Sequence, residues 1–206
     1  MDKNNNGLTS TKDKIMKTAA KMFSERGYDK VTTREIAKAI GINSASIYHH
    51  FSSKKEILKS LYGYYSEQIR KSRPDLNYLL RLAETEPPHE VLIKSEFHFD
   101  DEIRGLLDQI LVTAARMIVS DAESERFIRE NIFDSIKNTL EPLLDYMIKS
   151  GKIMPFDIKT FLDILSHYCF SAAALNNSVF SQSVAEYQAC LASIFSMIIP
   201  IPAEKS

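Results

Sequence analysis

Glycine is scarce, with six residues in 206, and strict alternation of apolar and polar residues is rare. Together these argue against a chain built from strands and tight hairpins. Cysteine is scarcer still. Cys169 and Cys190 both fall in apolar helical patterns and read as small buried hydrophobes in a reducing compartment. No apolar run approaches the ~20 residues that a membrane span needs, so no membrane partner is expected. The opening stretch MDKNNNGLTSTKDK has no apolar segment, so no secretory signal is expected and the location is expected to be cytoplasmic. No G-x-S-x-G, no H-E-x-x-H and no glycine-rich phosphate loop occurs. Nothing in the sequence supports an enzyme, and no cofactor or metal is expected.

What is present is ordinary for a globular protein: 44% hydrophobic and 26% charged residues. At about 150 residues per domain, the length fits one domain or two small ones. The formal net charge of −1 conceals an asymmetry. Residues 1–60 carry 12 Lys and Arg against 6 Asp and Glu, whereas the remainder carries 14 against 21. A basic N-terminal part on an acidic body suggests that a polyanion is met at one end only.

Apolar spacings of three and four recur along the whole chain and predict an all-α protein. A first helix is expected over Lys12–Arg26, with Ile15, Ala19, Met22 and Phe23 inward and Gly27 as its stop. Thr32 followed by Glu35 is a capping box for a second helix, which buries Ile36, Ala37 and Ile40 and ends at Gly41. A third, short helix over Ser44–Phe51 has Asn43 as its N-cap. A second capping box, Ser53 with Glu56, opens a fourth helix that runs towards Pro74. Beyond it, a helix over Asp75–Ala83 is broken by Pro87 and Pro88, and residues 90–99 read as loop. Asp100 caps a long helix with an apolar stripe from Ile103 to Ile118. The next is expected over Glu123–Lys149, kinked or broken by Pro142 inside it. Two more follow, over Asp157–Asn177 and Ser183–Ile199.

The stretch Thr32–Leu58 carries the functional signal. A capped helix, a turn with a glycine and a second capped helix form the helix-turn-helix plan, in which the second helix enters the major groove of DNA. Ile47 and Phe51 form the inner side of that second helix. Ser44, Ala45, Ser46, Tyr48 and His49 form an outer side of short or polar groups suited to base edges, and Ala45 also suits a thymine methyl. Lys54 and the capping amides at Ser53 suit phosphate oxygens. The partner expected on this basis is double-stranded DNA.

These residues also carry a resemblance. Phe23, Gly27-Tyr28, Thr32-Thr33, Ile36-Ala37, Gly41-Ile42, Ile47-Tyr48-His49-His50-Phe51, Lys54 and Leu58 resemble the N-terminal signature of the TetR family of bacterial transcription regulators, over roughly residues 12–60. The resemblance implies a three-helix DNA-binding domain over residues 9–53. A fourth helix would join it to a helical ligand-binding and dimerisation domain over 54–206, with about nine helices in all. It implies a homodimer, usually a repressor, that a small-molecule effector releases from a near-palindromic operator. Carried over by position, Thr33 and Arg34 match frequent DNA contacts from the second helix. Ser44, Ala45, Ser46, Tyr48 and His49 match recognition-helix contacts, and Tyr48 and Lys54 match phosphate contacts. Ala45 stands where glycine is often seen and Ser44 where lysine is frequent.

In the body, Phe97, Met117, Tyr146 and Tyr168 combine bulk or polarity with a place on an apolar stripe or in the 90–99 loop, and are taken as effector-pocket residues. Ala173, Leu191 and Phe195 are taken as dimer-interface residues, because small alanines permit close helix approach and paired half-sites need a dimer. Phe97-His98-Phe99-Asp100 reads as an aromatic loop feeding a helix with an acidic first turn, rather than as a metal site. His167 and Cys169 read as packing, since residues this close on one helix do not form a catalytic pair. The alternative function is a DNA-bound interaction protein whose body takes a protein partner instead of a small ligand.

Overall fold

Side-chain caps set where most of the helices begin. Ser10 caps α1 (Thr11–Arg26), Thr32 caps α2 (Thr33–Ala39) and Asn43 caps α3 (Ser44–Tyr48). The chain continues through α4 (Lys54–Ser72), α5 (Leu76–Thr85), α6 (Pro88–Lys94), α7 (Asp101–Met117), α8 (Ala122–Ile128), α9 (Asp134–Lys149) and α10 (Ile158–Leu175). Asp75 caps α5 and Asp100 caps α7, each accepting a bond from an amide of the first turn. The computed structural model describes residues 10–95, 99–175 and Ser193, and every regular element among them is helical. The helix expected over Ser183–Ile199 lies outside the described residues.

Three expectations need correction. Residues 88–94 are helix, not loop. Of the two prolines, Pro87 is the N-cap of α6, and Pro88 occupies its first turn, where its missing N–H costs nothing. The expected helix over Glu123–Lys149 is interrupted by a π-turn at Arg129–Phe133, upstream of Pro142, which α9 carries in its interior. Ile128, Ile132 and Ile136 keep a spacing of four across that wider turn, so the apolar period bears no mark of it. The capping box at Ser53 forms only by half. The Glu56 amide donates to Ser53 Oγ at 3.1 Å, but the Glu56 carboxylate accepts from the amide of Ser52.

Two units are formed by packing: Met1–Gln68 with Asp100–Phe127, and Ile69–Phe99 with Ile128–Ser206. In the first, α1 packs on α2 and on α7, and α2 packs on α3. Ile15, Met16, Ala19, Ala20 and Phe23 of α1 are buried, while Met22 is only half-buried. A Lys17–Glu102 ion pair and a bond from the Arg116 guanidinium to the Ser24 carbonyl also join α1 to α7. Tyr62 of α4 stacks on Phe127 of α8 at 4.2 Å between ring centroids. Its hydroxyl lies 2.8 Å from Ser124 Oγ, which in turn donates to Asp121 at 2.7 Å. With the serine proton committed to the carboxylate, Tyr62 is the donor. Burial pushes its hydroxyl up to about 12, so it remains neutral and able to donate.

The second unit has its own core. Leu79 and Ala83 of α5, Val91 and Leu92 of α6, Leu143, Leu144 and Met147 of α9, and Phe161, Leu162 and Leu165 of α10 are buried in one cluster. Arg73 donates to Ser135 Oγ at 2.7 Å, and Lys152 reaches the Glu84 carbonyl at 2.7 Å. Among the described residues no helix is long and apolar enough to cross a membrane.

Candidate nucleic-acid interface

The site begins with the cap of α2. Glu35 N–H donates to Thr32 Oγ1 at 3.2 Å, and Thr32 N–H donates to the Glu35 carboxylate at 2.8 Å. The same carboxylate accepts from Arg26 at 2.5 Å. The bond from Arg26, then those from Thr32, hold the Glu35 carboxyl down at about 2, from an ordinary value of 4.5. Because the folded value is the lower one, the contribution of this carboxylate to stability is complete above pH 4.5 and disappears as pH falls towards 2. Thermal unfolding of the wild type and Glu35→Gln is therefore expected to differ at neutral pH and to converge over that window. A gap that persists undiminished at pH 2 would show that the carboxylate is not held in this way.

Gly41 turns the chain from α2 into α3. Its φ of 73° lies in the left-handed region. The amide of Gly41 reaches Lys38 O and that of Ile42 reaches Ala37 O at 3.0 Å, which is the Schellman pattern. Asn43 Oδ1 then accepts from the Ala45 amide at 3.0 Å and starts α3. Ile47 and Phe51 are buried, so the opposite side of α3 is left to the solvent. Ala45, Tyr48 and His49 are exposed, and Ser44 and Ser46 are half-buried. The helix ends at Tyr48, shorter than expected, which puts His49 at its C-cap. His50 is exposed as well.

The two helices meet through side chains. Thr33 Oγ1 at the start of α2 lies 3.3 Å from Tyr48 OH at the end of α3. Two hydroxyls, each able to donate or accept, are thus offered at one point beside a tyrosine that is 57% exposed. Arg34 is exposed, and so is Lys38; neither side chain has a partner among the described residues. Lys38 was missed by the reading of the sequence, although it lies four residues from Arg34 and therefore on the same helix face. Lys54 is placed differently from a freely extended cation. Its ammonium donates to Tyr28 O and Val31 O, both at 2.9 Å, and sits 4.2 Å from the centroid of the Tyr28 ring.

A family model described as "Bacterial regulatory proteins, tetR family" matches residues 15–61, the span of α1 to the first part of α4. Over that span the chain matches the TetR family. That family consists of transcription regulators, not enzymes. A curated relative, the biofilm operon icaADBC HTH-type negative transcriptional regulator IcaR of Staphylococcus aureus (strain Newman), is 32% identical over 136 residues. The match spans 64% of this chain and 64% of that relative's length. Among solved structures, the TetR family regulator PfmR from Thermus thermophilus has a TM-score of 0.61 at 20% identity, covering 92% of this chain and 99% of its own. A transcriptional regulator from Saccharomonospora viridis, solved in complex with choline, has a TM-score of 0.60 at 18% identity, covering 91% and 97%. At these identities the likeness to the solved structures is one of fold.

The body residues singled out from sequence fall in different places. Tyr146 and Tyr168 both pack, half-buried, against the core of the second unit. Met117 ends α7 in the first unit. Phe97 and His98 lie outside the described residues, as do Leu191 and Phe195. Ala173 lies in α10, but its side chain is outside what is described. His167 contacts the Phe133 ring edge-on at 5.0 Å, and its Nδ1 lies 2.7 Å from Asp163 O. Among the described residues no group of three or more His, Cys, Asp or Glu could hold a metal ion.

Proposed function

We propose that this chain is a TetR-family regulator that acts on transcription as a homodimer in the cytoplasm, most simply as a repressor. Residues 9–53 would form the DNA-binding part and 54–206 the ligand-binding and dimerisation part. The observation that carries the reading is the α2–α3 face. It joins the Thr33–Tyr48 hydroxyl pair to the exposed Arg34, Ala45 and His49, over a buried Ile47 and Phe51. Tyr48, Thr33 and Arg34 suit phosphate oxygens, which fix register, and Ser44, Ala45, Ser46 and His49 suit base edges, which carry the sequence information. Each head of a dimer then reads one half of a near-palindromic operator, with half-site centres about 34–36 Å apart or a multiple of that.

The negative regulator among the relatives supports repression, and the choline complex among the structural neighbours supports a small-molecule effector. An effector that prefers one conformer of the body would change DNA affinity about 5–150-fold, for a coupling of about 1–3 kcal/mol. The test is a titration of the purified protein against its own upstream DNA and a scrambled control, at two salt concentrations. Binding with dimer stoichiometry is expected, at least about 1,000-fold tighter to the operator than to the control and falling steeply with salt. Equal, weak binding to both DNAs across the whole upstream region would sink the reading.

A further inference from the structure

Lys54 is the first residue of α4, and in a head that binds DNA a cation there invites assignment to a phosphate. The geometry points elsewhere. Two of its three ammonium hydrogens are directed at the carbonyls of Tyr28 and Val31, each 2.9 Å away. The same group lies over the face of the Tyr28 ring at 4.2 Å, and that ring meets Phe23 edge-on at 5.1 Å. These contacts enclose the 3₁₀ turn Tyr28–Lys30, whose own closing bond, from the Val31 amide to Tyr28 O, is long at 3.3 Å. One residue further on stands Thr32, the cap of α2, and then Thr33, whose hydroxyl meets Tyr48.

We propose, on the DNA-binding reading above, that Lys54 is a positioning residue: it fastens the 28–31 turn to the start of α4 and thereby fixes where Thr33 and Tyr48 stand, instead of binding a phosphate itself. The turn's two backbone bonds, from the Lys30 amide to Gly27 O and from the Val31 amide to Tyr28 O, are both long at 3.3 Å, and Arg26 reaches Lys30 O only at 3.3 Å. Without Lys54 these would leave the entry of α2 free to shift, and the hydroxyl pair with it. A charged donor shared between two carbonyls and a ring is bound more firmly than a neutral one, and it has little left to give to DNA.

The experiment uses the full chain with Lys54→Met, which keeps an unbranched side chain and removes the donor, and Lys54→Arg, which restores one. Amide hydrogen exchange is measured first. In K54M the Val31 and Glu35 amides are expected to exchange roughly tenfold faster, while that of Leu61 inside α4 keeps its wild-type rate. DNA is then titrated over a salt series. K54M is expected to bind operator and scrambled DNA more weakly, with the slope of log K against log salt as in the wild type, and K54R is expected to recover most of the affinity. Unchanged exchange at Val31 and Glu35 would overturn the proposal. A slope shallower by about 0.9 for each phosphate no longer neutralised, thus about 2 for two heads, would overturn it too and return Lys54 to the phosphates. If K54M frees the amides while the wild type itself prefers no DNA, the clamp stands and the DNA-binding reading falls. Should K54M lose its helical circular dichroism, Lys54→Gln is measured in its place and judged by the same outcomes.

Discussion

Phe23→Ala is expected to destabilise the first unit by about 3–5 kcal/mol, the range found for truncating a buried aromatic ring. Phe23 is fully buried on the inner stripe of α1. It carries the edge contact to Tyr28, and so supports the ring over which Lys54 sits. The loss has two parts, the apolar area returned to water in the unfolded chain and the cavity that the surrounding helices fail to close. The head has little freedom to collapse, since Ile15 and Ala19 of the same helix, Ile36 of α2 and Ile47 of α3 are themselves without exposed surface. Equilibrium denaturation in urea, followed by circular dichroism, measures the effect. A loss below about 1 kcal/mol would mean that the ring is not in a close-packed interior.

The second large effect concerns selectivity. His49→Ala and Ser46→Ala are each expected to cost about 1–3 kcal/mol per half-site on the operator, roughly 5–150-fold, and to leave scrambled DNA almost untouched. Tyr48→Phe is expected to behave in the opposite manner. It removes the hydroxyl that Thr33 meets at 3.3 Å and that suits a phosphate, so operator and scrambled DNA should weaken together. Fluorescence anisotropy with both DNAs separates the two patterns. If His49→Ala and Tyr48→Phe gave the same ratio between the DNAs, the division of the face into base-reading and phosphate-holding groups would be wrong. The contrast is sharpened by geometry: His49 stands at the C-cap of α3, exposed, whereas Ser46 is half-buried one turn earlier.

The parts of the head that could be read from the sequence are those governed by local chemistry. Thr32 and Asn43 in the head, and Asp100 beyond it, are oxygen-bearing residues just before an apolar period, and each does cap a helix. Gly41 ends α2 because only glycine takes a φ of 73° without strain. The parts that could not be read depend on where long or mobile groups end up in space. Glu56 stands three residues after Ser53, as a capping box requires, but its carboxylate chooses the neighbouring amide of Ser52. Lys54 has four methylenes, and nothing in its neighbours says that it curls back to residues 28 and 31. The π-turn at Arg129–Phe133 is silent because the apolar residues on its two sides keep in step. For the body, an apolar stripe tells that a residue turns inward, as Tyr146 and Tyr168 do, but not whether a cavity or a core receives it.

Two of the cations that hold the first unit together, Lys54 and Arg116, take hold of main-chain oxygens, those of Tyr28 and Val31 in one case and of Ser24 in the other. A backbone oxygen is the same whatever side chain stands beside it. Positions 24 and 31 can therefore drift between homologues without releasing the lysine or the arginine, provided that the replacement fits its space. Correlated substitution, the usual trace of two residues in contact, would not accumulate at these pairs. Methods that infer proximity from paired variation would pass over two fastenings of the head, while a scan of single substitutions would register both.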